Sequence, residues 1–290
     1  MNYLVALVTS GIAIGAVYGL LAMAFALIYK STGLINFAVG EVAMIVAYMT
    51  WSMTAYTGAD TLTVLLVAIG CGAFVGLVVE RLLIRPMMGE PMFSLVLVTI
   101  GLAVILRSVV LLVWGVSMRP MGMPQANELI QIFGLRLRWG QLVVVLVMIA
   151  LSVGTWLFFR FSRFGIAMRA VATDDRTALL MGVNTARVQS VAWASSCAIA
   201  GLAGVCFAAV YDLAPDSFVL GLKAFPAAIL GGLDSVLGAT FGGIVVGVIE
   251  NLVGGYVSSS LKEVAGFLLI VVVLMIKPSG LFGEREIERV

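Results

Sequence analysis

Apolar residues run along this chain in stretches far longer than a soluble core requires. Eight runs, at about 4–29, 40–57, 61–83, 92–116, 140–159, 189–211, 236–257 and 262–277, are long enough or nearly so to cross a hydrocarbon layer of roughly 30 Å as helices. A shorter apolar segment, about 217–233, is interrupted by Pro226 and by Gly231-Gly232. Irregular backbone at membrane depth survives only when it is packed in protein or lines a wet cavity, so this segment reads as a broken or re-entrant element. The pattern predicts an all-α polytopic membrane protein. It is a single domain over residues 1–290, with about eight transmembrane helices plus the short element near 217–233.

One stretch resists the membrane. Arg160 to Gln189 holds five arginines (Arg160, Arg163, Arg169, Arg176, Arg187) and the adjacent pair Asp174 and Asp175. Within this loop, at about 160–188, Thr173 to Gly182 predicts a short helix. Thr173 or Asp174 suits the N-cap, both aspartates suit the positive end of the helix dipole, and Gly182 suits the left-handed residue that stops it. Arg176 lies in its first turns, and Ala178, Leu179 and Met181 offer a small apolar surface. The residues alone leave two readings open, a solvated loop and a docking helix for a soluble partner.

Placing this loop in the cytoplasm sets the orientation. Eleven Lys and Arg then lie inside and five outside, with Arg107 in a span, which puts the N-terminus outside and the C-terminus inside. The longest outward connection, 117–139, holds three arginines on the disfavoured side and is a candidate surface for an external partner. The first apolar run has no preceding Lys or Arg and is too long for a signal-peptide core, so it is expected to remain as a span.

Glycines at GxxxG spacing (Gly11/Gly15/Gly19, Gly72/Gly76, Gly238/Gly242, Gly243/Gly247) predict close helix contacts, within the chain or across a dimer seam. Two glycine-bounded elements, Gly33 to Gly40 and Phe225 to Gly232, hint at an internal duplication. Transporters build midplane sites from such matched breaks, which makes Asn36, Phe37, Glu41, Phe225, Pro226, Gly231 and Gly232 candidate pathway residues. Among ionisable residues inside the spans, Arg107 and Glu250 are deepest and fall at similar depth, so a buried Arg107–Glu250 strut is expected. Asn251 and Thr99 are placed to take up leftover hydrogen bonds, and Glu80 with Arg81 reads as a helix-end pair.

Composition narrows the chemistry. The 290 residues are 62% hydrophobic and only 11% charged, whereas soluble domains carry about 25% charge. A net charge of +2 offers no argument for nucleic acid. The three cysteines form no motif, and the absence of histidine removes histidine-based catalysis and metal ligation, so no catalytic residue and no metal are expected. No phosphate-binding GxxxxGK[ST] loop occurs, so a driven transporter built on this chain needs a separate engine. A passive channel or uniporter, an intramembrane enzyme and a scaffold are the competing classes. A channel would call for a charged or carbonyl-rich filter.

Three stretches resemble the LivH-type permease subunits of the branched-chain amino acid ABC importer family. They are Tyr18 to Tyr29 continuing through Thr32 to Glu41, then Arg169 to Asn184, then Ala228 to Ala239 with the tail Lys277 to Gly283. Val39 departs from the family pattern, in which many members place histidine. The resemblance implies a permease subunit forming half of a translocation pathway for branched-chain or other hydrophobic amino acids, with urea, short amides or other small solutes as alternatives. Its implied partners are a second, LivM-like permease subunit, two cytoplasmic ATPase subunits that carry the ATP and Mg, and an external solute-binding protein, in a bacterial inner membrane. No cofactor is implied in this chain itself. Thr173 to Gly182 would be the helix that couples to the ATPase.

Overall fold

A computed structural model describes residues 2–283 apart from Gly122, Pro124, Gln125, Asn127, Phe133, Gly134 and Pro278. Eleven α-helices are formed among them. They are α1 (Asn2–Thr32), α2 (Val39–Thr54), α3 (Thr61–Val79), α4 (Met92–Trp114), α5 (Trp139–Phe161), α6 (Arg163–Thr173), α7 (Asp175–Leu180), α8 (Thr185–Tyr211), α9 (Val219–Gly231), α10 (Val236–Tyr256) and α11 (Ser259–Ile276). Seven of these, α1, α3, α4, α5, α8, α10 and α11, are long and apolar enough to cross a membrane, α3 together with the turns that follow it. The expected second span is α2, which at 16 residues is too short to match them and is buried along most of its length. The segment near 217–233 is the short helix α9. It passes through Pro226 without breaking and ends at Gly232, whose φ of 98° only glycine adopts readily. The chain is thus a polytopic, all-α membrane protein.

α1 stands at the centre and is almost wholly enclosed by α10, α8, α9 and α5. Its glycine ridge explains why. A Cβ at Gly11 would lie 2.8 Å from the Val248 Cα, one at Gly15 would lie 2.8 Å from the Ile244 Cα, and one at Gly19 would lie 2.7 Å from the Thr240 carbonyl oxygen. Gly243 and Gly247 on α10 face the Gly19 and Gly15 backbones in return. In lipid there is little hydrophobic drive between helices, so backbone approach and the dispersion contact it permits hold them together. α3 docks on α8 in the same way, since Cβ atoms at Gly72 and Gly76 would lie 2.6 and 2.9 Å from the Ala198 and Ala194 Cα atoms. The glycine faces are therefore used inside the chain.

Charged groups in the spans take partners close by, although the buried Arg107 Nε has none. The expected Arg107–Glu250 pair is not formed. Arg107 Nη2 donates to Glu41 Oε1 at 2.8 Å, and Glu250 Oε2 accepts the Tyr18 hydroxyl at 3.0 Å. The reason is lateral: α4 packs on α2, whereas α10 packs on α1, α9 and α11, so equal depth does not bring the two side chains together. Asn251 bridges Lys262 Nζ (3.0 Å) and the Leu7 carbonyl (3.2 Å). Glu80 pairs with Arg85 at 3.0 Å rather than with Arg81, because residues 80–84 form a π-turn that brings Arg85 back over the carboxylate.

A two-stranded antiparallel hairpin, β1 (Leu129–Ile132) and β2 (Leu135–Arg138), precedes α5 with Leu129 opposite Arg138. Nearby, Arg119 and Leu213 exchange both backbone hydrogen bonds, and the Arg119 guanidinium stacks over Trp51 at 4.5 Å. The tail returns to α9: the Leu281 and Phe282 amides donate to the Leu230 and Gly231 carbonyls at 2.8 and 3.1 Å, supplying partners at that helix's end. Arg285 and Arg289 of the charge balance lie outside the described residues.

Two stability outcomes follow. Gly243→Ala forces a side chain into the α1 backbone and is expected to cost about 1–3 kcal/mol, while Gly154→Ala, which faces open space, is neutral. Thermal unfolding followed by size-exclusion fluorescence separates the two, and equal midpoints would refute the packing role. Glu41→Gln and Arg107→Gln should each lose roughly 1–3 kcal/mol, since Arg107 is 40% exposed and only Glu41 is nearly buried. The double variant should recover part of that loss, and additive losses in the cycle would mean the pair contributes no coupling.

Candidate functional site

The first glycine-bounded element, a break between α1 and α2, meets the second at its Phe225 end, within the continuous helix α9. α1 stops where the Ser31 and Thr32 hydroxyls donate back to the Leu27 and Ile28 carbonyls and Gly33 turns with φ 69°. The chain then crosses to α2 without regular structure, and Asn36 Oδ1 accepts the Ala38 amide at 3.0 Å to start the new helix. α2 and α9 cross at Gly40 and Gly221, where a Cβ on Gly221 would lie 2.6 Å from the Gly40 Cα. This crossing puts Phe37 and Phe225 rings 5.9 Å apart, with Phe25 behind Phe225 at 6.0 Å. Pro226 is buried within α9.

Beside this aromatic group lie the few polar groups. The Glu41 carboxylate is nearly buried and takes Arg107, whose guanidinium lies 3.4 Å from the centre of the Phe218 ring at the start of α9. One ion pair and one cation–π contact therefore tie α2, α4 and α9 at a single point. Thr99 on α4 accepts the Phe37 amide at 3.4 Å. Asn36 is fully buried, and its Nδ2 has no hydrogen-bond partner, leaving a spare donor next to a half-exposed phenyl ring. The sequence-predicted residues Asn36, Phe37, Glu41 and Phe225 thus share one neighbourhood. Gly231 and Gly232 lie at the other end of α9, against Gly238 and the tail, so they hold the helix rather than face the same surface. Arg107 and Phe218 belong to the cluster, and neither was expected there. Arg107 pairs with Glu41 instead of Glu250, and Phe218 sits before the recognisable break.

The polar loop folds as α6, α7 and a glycine stop. Thr173 closes α6 by donating to the Arg169 carbonyl at 3.0 Å, and the cap of α7 is Asp174, whose Oδ1 accepts the Thr177 amide at 3.2 Å. Gly182 adopts φ 84°. The Asp175 and Arg176 side chains lie outside what the structure describes. Ala178 turns inward at 5% exposure, so it is not part of the apolar tip. That tip is Leu179, Leu180 and Met181, exposed at 60%, 87% and 80%. Leu180 was missed because a six-residue helix has too few turns for its phase to be read from sequence.

Over residues 7–276 the chain matches the family described as branched-chain amino acid transport system / permease component. It is 33% identical over 297 aligned positions to the high-affinity branched-chain amino acid transport system permease protein LivH of Escherichia coli, covering 97% of this chain and 96% of that protein. It is 29% identical to BraD, the corresponding permease of Pseudomonas aeruginosa, covering 100% and 98%. The permease protein LivM of Escherichia coli is 29% identical over 157 positions, 51% of this chain and 36% of that protein. No solved structure matches the chain. With the family matched across nearly all of its spans, the chain belongs to the permease components of branched-chain amino acid transport systems.

Proposed function

We propose that this chain is one of two permease subunits of an ATP-driven importer for branched-chain or other hydrophobic amino acids, and that α7 is its coupling helix. The observation that carries the reading is the tip of α7. Three large apolar side chains are exposed on a polar, arginine-rich loop. An exposed apolar patch rimmed by charge is the form of a protein contact. The occupant is a groove on a cytoplasmic ATPase, two copies of which bind the ATP and Mg2+. Thr173, Asp174, Asp175 and Arg176 form the start of the contact and Gly182 its end.

The charge balance supports a cytoplasmic loop, an outer N-terminus and an inner C-terminus in a bacterial inner membrane. The face bearing Asn36, Phe37, Glu41, Arg107 and Phe225 is the half-pathway, completed by a LivM-like permease, and an external binding protein delivers solute. Its aromatic walls and single ion pair suit a solute with an apolar side chain better than urea or a short amide.

Reconstitution with the partner subunits tests the reading. Leucine with its binding protein should stimulate ATP hydrolysis, whereas urea and short amides should not; the reverse order would reassign the solute, and uptake without ATPase subunits would end the importer reading. Leu180→Glu should weaken ATPase association roughly tenfold or more while the chain still inserts. Wild-type affinity would remove α7 from the contact. The three native cysteines are buried, so a Leu180→Cys reporter can be read cleanly, and it should label only from the cytoplasmic side.

A further inference from the structure

A cleft of about 420 Å3 opens where the π-turn after α3 meets the first turns of α6 and α8. Arg81, Arg85, Phe164, Asn184, Arg187 and Ser190 line it. Its volume is within the ordinary range for small-ligand sites. Glu80 is fully buried beside it and accounts for one arginine: its carboxylate accepts Arg85 Nε at 3.0 Å, Arg85 Nη2 at 3.3 Å and the Ser190 hydroxyl at 3.1 Å. Ser190 in turn accepts Arg85 Nη2 at 2.9 Å, so Arg85 is fixed. The guanidiniums of Arg81 and Arg187 have no ion-pair or hydrogen-bond partner among the described residues. The cleft therefore presents two free forks of donors around a neutralised third.

Its surroundings mark the depth. At the end of α5 the Arg160 guanidinium lies 5.0 Å from the Trp156 ring and 5.5 Å from the Phe161 ring, an aromatic and cationic cluster of the kind that sits at headgroup level. Leu82, between the cleft arginines, and Phe161 and Phe164, at the α5–α6 junction, are all exposed apolar side chains. A basic cleft at that level, flanked by apolar surface, has the two properties of a phospholipid: an anionic phosphate and an acyl chain. Guanidinium forks match phosphate oxygens in geometry as well as charge, and basic pockets between membrane helices hold such headgroups.

We infer that the Arg81–Arg187 cleft binds the phosphate of an anionic phospholipid, with an acyl chain lying along Leu82 and Phe164. The lipid bridges the end of α3 to the start of α8, next to the α7 loop. The assignment depends only on interfacial depth and holds for either orientation of the chain.

Native mass spectrometry of the full-length chain tests it, with phosphatidylglycerol and phosphatidylcholine of identical acyl chains as probes. Phosphatidylglycerol should be retained preferentially, and Arg81→Gln/Arg187→Gln should weaken it about thirtyfold, the loss expected for two arginines. Unchanged phosphatidylcholine occupancy in that variant reports that the fold is intact, and Arg81→Lys/Arg187→Lys should keep most of the preference. Equal retention of the two lipids, or a glutamine variant that binds as the parent does, overturns the proposal. So does full displacement by inorganic phosphate, which would make this a free-anion site, or displacement by an ATPase subunit, which would make the occupant an acidic protein surface.

Discussion

Backbone contact between α1 and α10 is the constraint from which the rest of the arrangement follows. Side chains on either helix could not be enlarged at the crossing without moving main chain, because the nearest atoms across it are Cα atoms and carbonyl oxygens. With α1 held this way, α8 takes another side, where Ser196 donates to the Ala24 carbonyl at 2.8 Å, and α9 fills the remaining corner. The short helices α2 and α9 are then enclosed by full-length neighbours, which is what allows them to end inside the protein.

The same enclosure shapes the chemistry of the candidate pathway. A chain break at Gly33 to Ala38 exposes backbone groups that lipid could not satisfy. They are met by Thr32, Asn36 and Thr99, residues that cost little space. What remains facing outward is an aromatic ring and a partly exposed arginine anchored by Glu41. Such a surface is polar enough to admit a zwitterion's ends and apolar enough to accept a hydrocarbon side chain. The polar loop is built on the opposite logic: capped, stopped and charged, it keeps three apolar side chains out of any core.

Helix positions were legible because hydrophobic length is a one-dimensional property: each apolar run became a helix within a few residues, and Gly182 stopped α7 as its type suggests. Lateral neighbours are not one-dimensional. Arg107 and Glu250 share a depth, but nothing in the order of residues says that α4 and α10 pack on different partners. The hairpin at 129–138 was a missed signal, since Leu129-Ile130-Gln131-Ile132 and Leu135-Arg136-Leu137-Arg138 carry a strand-like alternation that the search for long apolar runs passes over. The return of the tail to α9 had no signal of its own beyond Gly280 and Gly283.

The seam between the first helix and the tenth also orders events during synthesis. Gly19 and its partner Gly243 are 224 positions apart (243 less 19). At roughly 5–20 residues per second, the ribosome delivers the second roughly 10–45 s after the first. Throughout that interval the earliest helix has its notched side uncovered in the bilayer, free to seat against any other small-residue surface. A nascent chain of this design depends on the insertion machinery to keep that side vacant for its proper mate.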